Sequence, residues 1–257
     1  MRYALISDVH ANLPALEAVL AAIAADGGID AVYHLGDLVG YAPWPNEVVA
    51  RISAEGIAGV CGNYDSTVAL GAAHCGCRYE DAVQEAQSHE SFAWTVARVT
   101  PGTRKLLAAL PFRIDVRPGG GHAPGPKVVL VHGTPTLNTL YWTVDRDDGF
   151  CRRMAQHAGA RPGDVICFGH THLPWTREVD GVHFVNTGSV GRPKDGDWRA
   201  GYVVLGVGGG AVSVDFVRVK YDVERAMAAI RASELPGAFA EYLRTGGKPR
   251  PHTAEIG

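Results

Sequence analysis

The chain has 257 residues, with 24 Lys and Arg against 27 Asp and Glu, so its formal net charge is −3. Hydrophobic residues make up 46% and charged residues 20%, a composition typical of folded domains that excludes wholesale disorder. The charge balance, with no run of Lys and Arg, gives no clear nucleic-acid-binding patch. The apolar stretches are as long as strands, well short of the roughly 20 residues that a membrane-spanning helix needs, so no membrane partner is expected.

The five cysteines, at positions 61, 75, 77, 151 and 167, bear on the cellular compartment. An odd number of cysteines, with the acidic Asp8 where an export signal would be apolar, predicts a cytoplasmic protein in a reducing environment. The pair Cys75 and Cys77 has no second pair at a suitable spacing, so the sequence does not favour a zinc site there.

Short apolar runs alternate with helical patterns along the first two-thirds of the chain. Strands are predicted at 3–6, 31–35, 57–61, 112–116, 127–131, 164–168, 175–179, 182–185, 202–207 and 211–219. Helices are predicted from the N-cap Asn12 to Gly27, from Pro45 onward, two or three times within 66–110, and over about 222–232. Asp180-Gly181 marks a two-residue hairpin.

This order predicts an α/β protein whose strands are parallel early and antiparallel late, folded as one domain over residues 1–245. Residues 66–110 are rich in Ala and Glu and are interpreted as a helical insertion. The insertion either caps the site and sets substrate size or packs on the sheet as scaffold. Residues 246–257 are polar, contain two prolines and are expected to form a flexible tail.

Each of five predicted strands is followed by a polar cluster. The clusters are Asp8-Val9-His10, Gly36-Asp37, Gly62-Asn63-Tyr64-Asp65, His132-Gly133 and Gly169-His170-Thr171-His172. Sites in open α/β sheets form at the carboxyl ends of strands, so we expect these clusters to converge. The spacing of Asp8 and His10 is interpreted as two side chains on one side of a strand end. Acids, imidazoles and one amide in one place are typical of a metal site.

These five blocks, in this order, resemble the calcineurin-like metallophosphoesterase superfamily over roughly residues 1–200. The stretches 36–41 and 186–191 are similar to its prokaryotic phosphodiesterase-like branch. The resemblance implies a two-sheet β-sandwich flanked by helices, with mixed parallel and antiparallel strands. It also implies hydrolysis of phosphate esters at two divalent metal ions, with a hydroxide that bridges the ions as the nucleophile.

The resemblance assigns the site residues block by block. Asp8, His10 and His172 would hold one ion, Asn63, His132 and His170 the other, and Asp37 would bridge them. The catalytic set it implies is Asp37, Asn63, Tyr64 and Asp65. Mn²⁺ is the first expectation for the metal, and Fe, Ni²⁺ and Zn²⁺ also suit these ligands.

Tyr64 departs from the family pattern, in which many relatives carry a histidine that protonates the leaving group. A tyrosine has an ordinary pKa near 10, so at pH 7 it is a neutral donor and stabilises a leaving oxygen less than an imidazolium does. We therefore expect phosphodiesters, or esters with good leaving groups, as substrates. The partner would be a small phosphate ester, with nucleotides among the candidates.

Three more side chains are substrate-binding candidates. Arg192 and Arg199 lie just beyond the last histidine pair and could hold phosphate oxygens, although Asp195 and Asp197 could pair with them in a solvated loop. Asn12 is interpreted first as a helix cap and second as a phosphate contact. The neighbouring aromatic residues 141 and 142 favour structural packing over stacking on substrate.

Two other functions remain open from the sequence. One is a protein phosphatase or a dinucleoside polyphosphate hydrolase, which the tyrosine at position 64 weakens. The other is a non-catalytic interaction scaffold on the same fold, which the complete ligand set disfavours. The natural substrate and the oligomeric state are not indicated.

Overall fold

The computed structural model describes residues 1–79, 81–118 and 125–247. The strands of this part of the chain, numbered in chain order, are β1 (Arg2–Ile6), β2 (Ala31–His34), β3 (Ala58–Gly59), β4 (Ile114–Val116), β5 (Val128–Leu130), β6 (Val165–Phe168), β7 (Trp175–Val179), β8 (Val182–Asn186), β9 (Ala200–Gly208) and β10 (Ala211–Val219). The helices are α1 (Leu13–Asp26), α2 (Pro45–Ala54), α3 (Asn63–Leu70), α4 (Ala82–Arg98), α5 (Pro101–Ala108), α6 (Asp148–Ala158), α7 (Val223–Ala232) and α8 (Ala238–Thr245).

The strands form two mixed five-stranded sheets. The first sheet has the order β10-β9-β1-β2-β3, in which β1, β2 and β3 are parallel and the β9–β10 hairpin is antiparallel. The second has the order β4-β5-β6-β8-β7, with β5, β6 and β8 parallel and both edge strands antiparallel. The predicted α/β class, parallel early and antiparallel late, is confirmed.

Three apolar layers hold the sheets and helices together. Between the sheets, Leu5 and Leu205 of the first sheet pack in one cluster with Leu130 and Val185 of the second. The outer face of the first sheet is covered by α1, α2, α7 and α8, and the outer face of the second by α6 and the fully buried Trp142. The fold is therefore the sandwich flanked by helices that the resemblance implied.

The predicted elements match the observed ones with shifted ends. The Asn12 side chain accepts from the Ala15 N–H and caps α1, which ends at the left-handed Gly27 as expected. The sequence analysis missed α6 and α8, although each buries residues at helical spacing, such as Phe239, Ala240 and Leu243 in α8. Residues 119–124, between two predicted strands, and the predicted tail from residue 248 onward lie outside the described residues.

The helical region predicted at 66–110 begins earlier, at Asn63, and consists of α3, α4 and α5. Phe92 of α4 and Leu107 of α5 join the core on the outer face of the first sheet, and Ser91 accepts the backbone N–H of Tyr41. Parts of α4 and α5 therefore pack on the first sheet, whereas the start of α3 carries Asn63 and Tyr64, and Gln84 of α4 lines a cavity described below.

Cys75 and Cys77 form a disulfide, which differs from the expected set of reduced thiols. Cys61, Cys151 and Cys167 are free. No helix within the described ranges is long and apolar enough to cross a membrane. The cytoplasmic location stays a prediction.

Candidate metal centre

The predicted ligands converge where the carboxyl ends of β1, β2, β5 and β6 meet between the two sheets. Five of them adopt left-handed backbone conformations, and the φ angles are 52° at Asp8, 48° at His10, 52° at Asp37, 66° at His170 and 60° at His172. Such conformations cost about 1–3 kcal/mol each in a non-glycine residue and cluster at functional sites. The strand pleat invoked for Asp8 and His10 is the wrong reason, since both lie in the loop beyond β1.

Two glycines let the motif loops approach one another. A Cβ atom at Gly62 would collide with the backbone N and the carboxylate of Asp37. A Cβ atom at Gly169 would collide with the side chains of Ser7 and Asp8. The glycines of the Gly-Asn and Gly-His blocks are therefore required by close packing around the carboxylates of Asp37 and Asp8.

Asp8, His10 and His172 form the first group of donors. The Nδ1 atoms of His10 and His172 lie 3.0 Å from Val39 O and 2.5 Å from Arg192 O. A carbonyl oxygen only accepts, so both Nδ1 atoms carry the proton and both Nε2 atoms carry a lone pair. These two Nε2 atoms face each other at 3.1 Å.

The Asp8 carboxylate completes this group. Its Oδ2 atom accepts from the Ser7 hydroxyl at 2.6 Å and from the His170 backbone N–H at 3.0 Å. Its Oδ1 atom is buried without a hydrogen-bond partner among the described residues and lies 3.3 Å from His172 Nε2 and 3.7 Å from His10 Nε2. The three hydrogen-bond acceptors that face one another, His10 Nε2, His172 Nε2 and Asp8 Oδ1, have no hydrogen-bond donor between them among the described residues. Such an arrangement fits a bound cation.

The second group consists of Asp37, His132 and His170, with Asn63 beside them. His132 Nδ1 bonds to Leu35 O at 2.7 Å, and His132 Nε2 lies 3.1 Å from His170 Nδ1 and 3.0 Å from Asn63 Oδ1. The Asn63 amide is oriented by its Nδ2 group, which donates to Cys75 O at 3.1 Å and to the Cys77 sulfur at 3.3 Å. The amide oxygen therefore points at the imidazoles.

Asp37 lies between the two groups. Its Oδ1 atom accepts the Tyr64 backbone N–H at 2.8 Å. Its Oδ2 atom is 3.8 Å from His10 Nε2 and 3.5 Å from His132 Nε2. One carboxylate oxygen of Asp37 thus faces a histidine nitrogen of each group, and this is the geometry that a ligand bridging two metal ions needs.

Burial and neighbouring charges set the protonation of the imidazoles. Burial, assisted by His172, lowers the pKa of His10 to about 3, and burial also lowers the pKa values of His170 and His172. Burial acts against a charge on His132 as well, but the carboxylate of Asp37 outweighs it and the pKa rises to about 9. The acids therefore attract positive charge to this centre while most of its imidazoles stay neutral.

Tyr64 reaches the same pocket. Its hydroxyl is buried without a hydrogen-bond partner in the described part of the chain, and its ring packs on those of His10 and Tyr41. Burial raises its pKa further above the ordinary value, so the hydroxyl keeps its proton. Asp65, assigned to the catalytic set, uses its two oxygens to accept the backbone N–H groups of Leu38 and Gly62.

The three substrate-binding candidates differ in position. Arg192 is buried beside the ligands, with its guanidinium 4.0 Å from the centre of the Tyr41 ring. Arg199 binds Asp197, its alternative partner, at 2.6 Å. Asn12 uses its oxygen as the helix cap, and its NH₂ group donates to Gly191 O at 2.9 Å.

Four of the described residues that line the ligand pocket are outside the predicted site set: Tyr41, Cys77, Tyr141 and Lys194. The sequence analysis favours structural packing for Tyr141. The ring of Tyr141 lies 4.2 Å from that of His170, so it borders the site, whereas Trp142 packs in the core as predicted. Two sequence features could have placed residues at the site. Tyr41 lies in the extended Gly-Asp block, and Lys194 lies two positions after Arg192.

A family model described as the calcineurin-like phosphoesterase superfamily domain matches residues 1–209. The chain belongs to this superfamily. An uncharacterised protein of Methanocaldococcus jannaschii is 31% identical to this phosphoesterase-family chain over 263 residues, covering 95% of the chain and 97% of that relative.

Two solved structures extend the comparison. A metallophosphoesterase from Sphaerobacter thermophilus is 28% identical, with a TM-score of 0.72 over 96% of this chain and 99% of its own. A hypothetical protein from Pyrococcus horikoshii OT3 is 21% identical, with a TM-score of 0.80 at the same coverage, and shows the fold alone. The family match over residues 1–209 confirms the predicted resemblance to the superfamily.

Proposed function

We propose that this protein is a binuclear metal-dependent phosphoesterase that prefers phosphodiesters, or phosphate esters with good leaving groups, to simple alkyl monoesters. The observation that carries the proposal is the pair of Nε2 lone pairs of His10 and His172, which face each other at 3.1 Å beside an unpartnered carboxylate oxygen of Asp8. Membership of the superfamily supports the same assignment.

The ligands divide as the two donor groups do. Asp8, His10 and His172 would hold one divalent ion, His132, His170 and Asn63 the other, and Asp37 both. When bound, two such ions supply positive charge to a phosphoryl group and lower the pKa of a bound water toward about 7. Imidazole and carboxylate ligands suit Mn²⁺, Fe, Ni²⁺ and Zn²⁺, and we propose Mn²⁺ first.

Arg192 and Lys194 line the pocket beside the ligands and would bind phosphate oxygens. The Tyr64 hydroxyl, neutral and unpartnered among the described groups, would donate a hydrogen bond to the leaving oxygen. A neutral hydrogen-bond donor is sufficient when the leaving oxygen departs as a stable anion. It stabilises a poor leaving group, which needs a proton, less well. This difference is the basis of the proposed substrate preference.

Hydrolysis of bis(p-nitrophenyl) phosphate and p-nitrophenyl phosphate in Mn²⁺ tests the proposal. We expect a higher kcat/KM for the diester and a loss of several orders of magnitude in Asp37→Asn. His132→Ala should lose one ion more readily than the other, whereas the matched variant His183→Ala, altered on β8 beside Glu178, should keep both ions and full activity.

Other outcomes would favour the alternatives. A clear monoester preference would contradict the proposed specificity and favour a phosphatase. A protein that holds two ions and hydrolyses neither ester would favour a scaffold on the same fold.

A further inference from the structure

A cavity of about 920 Å³ adjoins the candidate metal centre. Tyr141 and Lys194 line both this cavity and the pocket of the ligands, so the two spaces share a wall. Ligand sites in proteins commonly measure about 300–1,000 Å³, which is far more than a phosphoryl group fills. The cavity therefore has room for a large arm of an ester whose phosphate lies at the ligands.

Two arginines of this cavity lie over one aromatic ring. The guanidinium carbons of Arg146 and Arg153 are 5.1 Å and 5.9 Å from the centre of the buried Phe150 ring. Among the described residues, neither guanidinium has a carboxylate within ion-pairing distance. Each guanidinium thus places a positive charge in the cavity lining without a carboxylate counterion among the described residues, and an anion that enters the cavity would supply one.

The lining formed by the described residues is basic on balance. It carries four basic side chains, Arg78, Arg146, Arg153 and Lys194, against two acidic ones, Asp145 and Asp147. One carboxylate, that of Asp147, accepts the Phe150 backbone N–H at 2.7 Å as the cap of α6. Among the described residues the lining thus has an excess of two positive charges, which attracts an anionic arm.

Aromatic side chains lie in the same wall. Tyr79 and Tyr141 line the cavity, and the Tyr141 ring sits next to His170 of the metal centre. Nucleobases stack on such rings with little dependence on their identity. An arm with a base near the ligands and a phosphate farther out would match both features of the lining.

We propose that this cavity binds a nucleotidyl arm of the substrate and that Arg146 and Arg153 hold a further phosphate on that arm. The inference rests on the proposed phosphodiesterase function and adds the substrate class to it. The two arginines would act on specificity, since they lie in the outer cavity and are absent from the wall of the ligand pocket among the described residues.

The test uses the full chain with Mn²⁺ and the deoxydinucleotide d(ApA) as substrate. It compares kcat/KM for d(ApA) with and without a 5′-terminal phosphate. The wild type should prefer the phosphorylated dinucleotide by about 10-fold or more, the worth of one or two hydrogen bonds to a charged group. Arg146→Gln and Arg153→Gln should each reduce that ratio toward one. Arg152→Gln is the matched control, because this neighbour on α6 pairs with Asp180 instead and should keep the ratio.

Suppose that bis(p-nitrophenyl) phosphate is still hydrolysed. Equal kcat/KM values for the two dinucleotides in the wild type would then overturn the inference, and so would an unchanged ratio in both arginine variants. Failure to hydrolyse that diester would instead overturn the proposed function. The two failures are therefore distinguishable.

Discussion

One oxygen of Asp65 accepts the backbone N–H of Leu38 at 2.9 Å, and this buried carboxylate thereby ties the first turn of α3 to the loop after β2. The other oxygen accepts the N–H of Gly62 at 3.0 Å. Asn63 begins α3 and Asp37 lies in the loop after β2, so Asp65 positions two of the candidate ligands. Asp65, which the resemblance places in the catalytic set, therefore contacts backbone N–H groups in this structure.

Asp65→Asn should therefore weaken metal binding without touching a ligand. An amide offers one acceptor where the carboxylate offers two, so one N–H group loses its partner and the loops shift. We expect about 10- to 100-fold weaker Mn²⁺ binding, as for other residues that orient ligands. Isothermal titration of the metal-free protein with Mn²⁺ measures the change.

Asp164→Asn is the matched control. This buried carboxylate also joins two backbone N–H groups, those of Lys127 and Arg161, but at the opposite end of β5 and β6. It should lower the free energy of unfolding by about 1–3 kcal/mol and leave Mn²⁺ affinity unchanged. Equal loss of Mn²⁺ affinity in both variants would show that Asp65 acts through general stability.

Tyr64 should matter most for poor leaving groups. Tyr64→Phe removes the hydroxyl while keeping the ring packed on His10 and Phe92. We expect kcat for alkyl phosphodiesters to fall by about 10²-fold, at the low end of the effect of proton donors, with a much smaller loss for p-nitrophenyl esters. Tyr64→His should raise monoester hydrolysis, and no rise would leave the account of leaving-group protonation without support.

Asp8→Asn should abolish metal binding and raise the stability of the metal-free protein. In the variant an NH₂ group would replace the unpartnered Oδ1 atom, 3.3 Å from the lone pair of His172 Nε2. In EDTA we expect thermal unfolding at a higher temperature than in the wild type, by about 1 kcal/mol of added stability. Saturating Mn²⁺ should stabilise only the wild type, by about 2.7 kcal/mol at 100 times the Kd.

His34 predicts a pH dependence of stability. It is buried on β2, neither ring nitrogen has a partner in the described ranges, and burial lowers its pKa to about 4. Between the ordinary pKa of about 6.5 and 4, the unfolded chain binds the proton and the folded chain does not, so stability falls as pH falls through this window. The loss amounts to about 3 kcal/mol in full.

His34→Leu should remove this contribution. Urea unfolding in EDTA at pH 7 and pH 4.5 should show a smaller decrease in the variant than in the wild type, because leucine cannot titrate. An identical decrease in both proteins would mean that His34 becomes protonated within the folded state.

The strand-end blocks could be recognised from the sequence because each combines a short apolar run with polar residues directly after it. Asp8, His10, Asp37, Asn63, His132, His170 and His172 are brought together as expected. Helix α8 could not be placed in this way, although it supplies Phe239 and Tyr242 to the aromatic surroundings of Arg192. The partners of such a helix come from distant parts of the chain, and local pattern does not contain them.

The sequence by itself determined the class of fold, the order of the elements and the identity of the donors, because hydrophobic periodicity and side-chain chemistry are local properties. Only the tertiary structure decided which donors face each other, that Asp37 lies between the two groups, and that Tyr141 and Lys194 connect them to a basic cavity. These relations depend on left-handed loop conformations and on the packing of two sheets, which join residues more than a hundred positions apart.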